Sequence, residues 1–210
     1  GETAMTRFLA LALAALLPAA ALAQESAPEL QTDPRAAKFR DVERGFFVGF
    51  EAGYLSLLDT PTKNTADFPY AGKGGGRAGG LLVTASVGVD LGTRLSISLF
   101  GVGTNQQASI DYGAFSLFGG GADVRWAFYG SKDPNDYERF FAFVHARGSY
   151  VLAKPTGLFG DSDLLVAGGP GVEYYTRLRH FSVGVVTDVA YAASAGTVGF
   201  AVYPTVRYTF

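Results

Sequence analysis

Eight ionisable residues share an unusual placement. Glu51, Asp90, Asp123, Arg125, Arg147, Glu173, Asp188 and Arg207 each interrupt a stretch in which apolar residues alternate with small or polar ones. Each falls on the small or polar side of its stretch. Acids and bases taken out of water need one another, so this set reads as a buried charge network. Other chemistry finds less support. His145 and Ser149 share one side of a stretch, but residues four apart on a strand are about 13 Å apart. A nucleophile and its base must come within about 3 Å, so the two do not form a dyad and His145 reads as interior packing. The chain has two His, far apart, and no Cys, which supports neither a metal centre nor thiolate chemistry. The run Gly72-Lys73-Gly74-Gly75-Gly76-Arg77 resembles a phosphate loop only superficially, because it lacks the Lys-Ser/Thr ending and a following helix. No catalytic, cofactor-binding or metal-binding residue is assigned.

The elements that position the charges are strands. Thr197 to Phe210 separates into Val198, Phe200, Val202, Pro204, Val206, Tyr208 and Phe210 on one face and Thr197, Gly199, Ala201, Tyr203, Thr205, Arg207 and Thr209 on the other. A period of two over that length is a strand with one apolar face. The same alternation recurs over 45–57, 80–91, 94–102, 114–129, 139–152, 164–176 and 179–192. Within 164–176 the parity at Leu164-Leu165 is ambiguous. Gly119-Gly120-Gly121 and Gly168-Gly169-Pro170-Gly171 read as kinks or as room for interior side chains. The strand number is even, so the last can pair with the first and close a barrel. The connections after the first, third and fifth strands are the longer ones. Those after the second and sixth are short, and that after the fourth is intermediate.

Charge placement decides which face meets water. The five Lys (Lys38, Lys63, Lys73, Lys132 and Lys154) fall outside the strands, and the strand charges avoid the bulky face. A soluble barrel would carry its charges outside. On a lipid-facing surface a midplane Arg or Lys costs about 2–4 kcal/mol. The bulky face therefore points to lipid, and the expected fold is an all-β, eight-stranded antiparallel up-and-down transmembrane barrel. Phe46, Tyr54, Trp126, Phe128, Phe140, Tyr150, Tyr174, Tyr191, Tyr208 and Phe210 are positioned to form interfacial girdles. A barrel of this size is just wide enough for its own side chains, so the interior should be filled. Strand order suggests that Arg147 pairs with Asp123 or Glu173, and Arg207 with Glu51 or Asp90.

Apolar residues make up 48% of the 210-residue chain, with 28 Gly and a formal charge of -2. No charge block suggests a nucleic-acid partner. Met5-Thr6-Arg7, the apolar run Phe8 to Leu17 and Ala21-Leu22-Ala23 read as a cleaved secretory signal. The expected organisation is a signal peptide with a short extension over 1–23, a periplasmic leader over 24–44 and the barrel over 45–210. Both barrel termini then lie in the periplasm, with the longer loops outside. Lys73 and Arg77 would offer lipopolysaccharide a contact there.

The signal peptide together with the terminal Val206-x-Tyr208-x-Phe210 resembles small Gram-negative outer-membrane β-barrels of the OmpA-like and OmpW-like transmembrane group. The resemblance covers the mature chain from about Gly45. It implies an outer-membrane location among lipid and lipopolysaccharide, and a C-terminal signal read by the barrel-assembly machinery. The peptidoglycan-binding domain of full-length OmpA-like proteins is not matched. Phe39-Arg40-Asp41-Val42-Glu43-Arg44-Gly45-Phe46-Phe47-Val48-Gly49 further resembles outer-membrane proteins of adventurous gliding motility in myxobacteria. That likeness implies a component of a trans-envelope motility apparatus, with other envelope or motility proteins as partners. The leading expectation is a structural or interaction component of the envelope, not an enzyme. The alternatives are a narrow channel or transporter for small apolar solutes, and a lipid-modifying enzyme.

Overall fold

A computed structural model describes residues 44–60, 76–108, 113–133, 137–156, 159–176, 178 and 180–210. The expected signal peptide, the leader up to Glu43 and residues 61–75, including Lys73, lie outside the described residues. Chain contacts divide the protein into Gly1–Phe39 and Arg40–Phe210, and the second unit holds the barrel.

Eight strands follow in order: β1 (Phe46–Thr60), β2 (Gly76–Leu91), β3 (Leu95–Gln107), β4 (Ala114–Lys132), β5 (Glu138–Lys154), β6 (Ser162–Tyr175), β7 (Phe181–Ala192) and β8 (Thr197–Thr209). Each pairs antiparallel with its sequence neighbour, and β8 returns to β1. The closing register runs from Phe47 opposite Thr209 to Leu57 opposite Gly199. Closure pairs every strand on both sides and leaves no edge to cover. β1 begins and β8 finishes at one end of the barrel, called proximal below. The proximal connections are 92–94, 133–137 and 176–180; the distal ones are 61–75, 108–113, 155–161 and 193–196.

Alternation sets the two surfaces. Along β8 every second residue is buried and the intervening ones are exposed without a break. All ten girdle candidates are on the exposed side, from Phe140 at 37% to Phe210 at 63%. Around the proximal end Phe46, Phe210 and Tyr208 form a contiguous ring cluster, with centroids 5.7 Å and 5.1 Å apart. A bulge opposite β5 between Ala127 and Tyr129 turns both Phe128 and Tyr129 outward. Leu164 faces outward and Leu165 inward, which resolves the ambiguous parity.

Three expectations are corrected. Lys132 and Lys154, expected outside the strands, are the last residues of β4 and β5, at the rims, where a long side chain reaches water. β3 continues to Gln107 where a loop was expected from Gly103. Thr104 and Gln106 point inward and are buried, whereas Asn105 and Gln107 are exposed. Polar residues on both faces imitate a loop, yet the strand stays paired with β2 and β4 throughout. The interior is also not polar along its whole length. Its distal half is packed with Leu55, Leu57, Phe115, Leu117, Val151 and Phe159. Phe159 stacks on Phe115 at 5.1 Å and contributes to the distal cluster. The Gly-rich stretch of β6 does make room, because a Cβ on Gly171 would stand 2.3 Å from the Phe143 ring.

Candidate functional site: the charged lumen

All eight charges singled out in the sequence reach the interior. Seven are buried and Arg125 is half-buried. They sort into three groups along the barrel.

Nearest the proximal end, Arg207 of β8 binds Asp90 of β2 through Nη2. Ser96 Oγ donates to the other oxygen of Asp90 at 2.9 Å. The Arg207 guanidinium lies 3.7 Å above the Phe47 ring centroid, a short cation–π contact. On the facing wall Arg125 of β4 stands 3.5 Å from Glu173 of β6. Glu173 also accepts from Ser182 Oγ at 2.6 Å. Arg125 stacks over Phe143 at 4.0 Å. Arg44, just before β1, sits over Phe141 and Tyr175 at 4.5 and 5.1 Å.

The centre is a strut across the lumen. Arg147 of β5 donates from Nη1 and Nη2 to the two carboxylate oxygens of Glu51 at 3.0 and 3.4 Å. β1 and β5 are four strands apart in a ring of eight, so this pair spans the barrel. The guanidinium lies between the rings of Phe100 and Tyr203, 5.3 and 5.0 Å from their centroids. Beside it His145 bridges two acids, with Nδ1 2.8 Å from Asp123 and Nε2 2.6 Å from Asp188. With both acids ionised, the ring meets the two by donating from each nitrogen. Tyr203 Oη donates to the second oxygen of Asp188 at 2.7 Å.

These contacts meet each expected pairing through one of its alternatives and add partners that were not expected. Arg147 is the register partner of Asp123, but its terminal nitrogens cross to Glu51 and only Nε stays near, at 3.8 Å. Asp123 is engaged by His145, and the long Arg side chain can reach the far wall. Glu173 pairs with Arg125, not Arg147, and Arg207 takes Asp90, one of its two expected acids. Sequence reasoning left Tyr203 and His145 out of the charge network. Their parity with Arg207 and Arg147 was the available signal.

The geometry of the His145 region is that of a fastening. Both His145 nitrogens are committed to carboxylates, and Ser149 Oγ donates to the Leu165 carbonyl at 3.4 Å. Neither is placed to serve the other as base or nucleophile. Of the Gly-rich run, Gly76 and Arg77 are part of β2, and Arg77 Nε donates to Ser56 Oγ at 2.9 Å. Val206, Tyr208 and Phe210 all face outward at the proximal part of the wall.

No family model matches the chain, and no curated protein matches it. Solved structures do. Neisserial surface protein A (NspA) is 16% identical with a TM-score of 0.57, over 79% of this chain and 97% of that one. OprG of Pseudomonas aeruginosa is 10% identical with a TM-score of 0.43, covering 81% and 99%. Ail of Yersinia pestis, crystallised with a heparin analogue, is 13% identical with a TM-score of 0.39, covering 79% and 100%. At these identities the likeness is one of fold, and NspA carries it. The closed ring of eight strands, the apolar outer wall and the ion-paired lumen together give this chain the fold of the small outer-membrane β-barrels.

Proposed function

We propose that the protein is a structural and interaction component of the outer membrane, a closed barrel that holds the distal loops outside the cell and residues 24–44 in the periplasm. In this reading residues 1–23 are removed on export. The assembly machinery recognises Val206, Tyr208 and Phe210, and lipid and lipopolysaccharide surround the wall. The observation that carries the reading is the Glu51–Arg147 strut across the lumen, backed on its distal side by packed Leu and Phe side chains. A lumen filled in this way supports anchoring better than passage. It also supports anchoring over lipid chemistry, because His145 is buried among carboxylates and faces away from the bilayer.

Two measurements test the proposal. Reconstituted in planar bilayers, the barrel is expected to give no steady conductance and liposomes no uptake of small apolar solutes. A stable conductance or uptake would favour the channel. Photocrosslinkers placed in cells along 24–44 and in the 61–75 connection are expected to trap defined envelope proteins. The motility apparatus implied by residues 39–49 is one such set of partners. Crosslinks to water alone at every position would count against a scaffold.

A further inference from the structure

Tyr175 and Thr209 are the last residues of β6 and β8, at the proximal rim, and both point inward. Such residues stand open to solvent unless something lies across the mouth. Both are 0% exposed, and Phe141 and Ser182 beside them are buried as well. Arg44 lies across the opening. Its backbone stays on the β1–β2 side, where Gly45 N donates to Asp90 Oδ2 at 3.4 Å and Gly45 O accepts from Asp90 N at 2.9 Å. Its guanidinium is at the other side of the ring of strands, 4.5 Å from the Phe141 centroid and 5.1 Å from that of Tyr175. β5 is four strands from β1, and β6 is three. The two rings meet edge-on at 5.8 Å. Both centroids are within the about 6 Å over which a ring face attracts a cation.

We infer that Arg44 is a strap that closes the proximal mouth, held by the β1–β2 backbone at one end and by an aromatic pair at the other. A long basic side chain at a rim ordinarily turns its head to water. Arg44 is half-buried and directs its head to the opposite wall. The acids at this level do not draw it there, because Asp90 and Glu173 are engaged by Arg207 and Arg125. The rings of Phe141 and Tyr175 do, and a cation over a ring is held more firmly where water is excluded. Beneath the strap lie the Arg207–Asp90 and Arg125–Glu173 pairs, which contribute little once solvated. The strap keeps water from them. Its two ends belong to opposite parts of the wall, so it fastens only when the barrel has closed. A partner that draws on the chain before Arg44 draws on the strap, a consequence that rests on reading residues 24–44 as a periplasmic leader, whereas the strap itself does not.

The test uses the full mature barrel in detergent micelles, with a thiol placed under the strap. Thr209 Oγ1 has no hydrogen-bond partner, so Thr209→Cys replaces a hydroxyl that holds nothing, and the chain has no other cysteine. With Arg44 in place, the thiol should react slowly with a charged, water-soluble methanethiosulfonate. Adding Arg44→Ala should speed the reaction by about tenfold or more, the factor that a desolvated cation–π contact represents. A thiol at Ala153, buried in the distal half, should keep its rate when Arg44→Ala is added. Ring currents should shift the Arg44 side-chain proton resonances upfield in the wild type, and Phe141→Leu should reduce that shift. Equal rates at Thr209→Cys with and without Arg44→Ala overturn the proposal. So does an equal acceleration at Ala153→Cys, which reports loosening of the whole barrel, or an unshifted Arg44 resonance. If Phe141→Leu does not fold, the two thiol rates and the wild-type shift decide. None of these readouts depends on what residues 24–43 bind.

Discussion

Arg147 is the side chain on which the lumen converges. It binds Glu51 across the barrel, stays within ion-pair distance of Asp123 and Asp188, and lies between two rings. Arg147→Leu leaves Glu51 buried and uncompensated, which should cost about 3–5 kcal/mol. Adding Glu51→Leu removes the orphaned charge, so the double variant should be more stable than Arg147→Leu alone. Urea unfolding in bilayers or micelles reads both, and strict additivity of the two single changes would refute the strut. Parity in the sequence was enough to tell which charges point inward, because a strand turns each successive side chain to the opposite face. With strand order it gave Arg207–Asp90 and Arg147–Asp123 among its alternatives, but not the full set of partners. Adjacency gave the Arg147–Asp123 ion pair, whereas the hydrogen-bonded pair with Glu51 depends on reach across a closed lumen and on His145 engaging Asp123. Tyr203 was readable as an inward residue, but its hydroxyl contact with Asp188 depends on the packing of β7 against β8.

The same parity had more to give at the level of the strand. Leu55 and Leu57 share the side of Glu51, Phe115 and Leu117 that of Asp123, and Val151 that of Arg147. Followed from these charges toward the distal end, the inward face of β1, β4 and β5 becomes apolar. The length of β3 was harder to read. Asn105 faces outward yet is polar, and outward polarity on a membrane strand signals departure from lipid as well as departure from the sheet. An arginine placed at each position separates the two meanings. Val185→Arg, on the exposed face in the middle of β7, should cost about 2–4 kcal/mol, the midplane value. Asn105→Arg should cost about 0–1 kcal/mol, as at an interface. Similar large costs at both sites in reversible unfolding would place Asn105 within the hydrocarbon and remove the account of why the β3 extension is polar. The two prolines on the lipid side belong to this scale as well. The β6–β7 register is interrupted beside Pro170 and the β1–β8 register beside Pro204. A residue without an N–H cannot donate to the ladder, and Thr187 Oγ1 donates to the Pro170 carbonyl at 3.3 Å.

For the molecule as a whole, everything inside depends on the seam. Glu51 belongs to the first strand and reaches Arg147 on the opposite wall only because the sheet curls until β8 meets β1. An open sheet would leave the charged face to water, and its pairs would then contribute little. Tyr54 and Val202 are register partners across that seam, both outward and away from the candidate assembly signal. Directly opposed residues in an antiparallel pair have Cα atoms about 4.5–5.5 Å apart, within the span of a disulfide. The chain has no cysteine, so Tyr54→Cys with Val202→Cys introduces a single possible intrachain bond. Mild oxidation of the membrane-embedded barrel should form it in most molecules, and the denatured chain should then migrate faster on a non-reducing gel. Tyr54→Cys with Val124→Cys, which places the second thiol on β4, should stay reduced under the same conditions. If the seam pair failed to oxidise while folded, or the β4 pair oxidised equally well, the ring would not be closed as described. The charged lumen would then lose the enclosure that makes its ion pairs count.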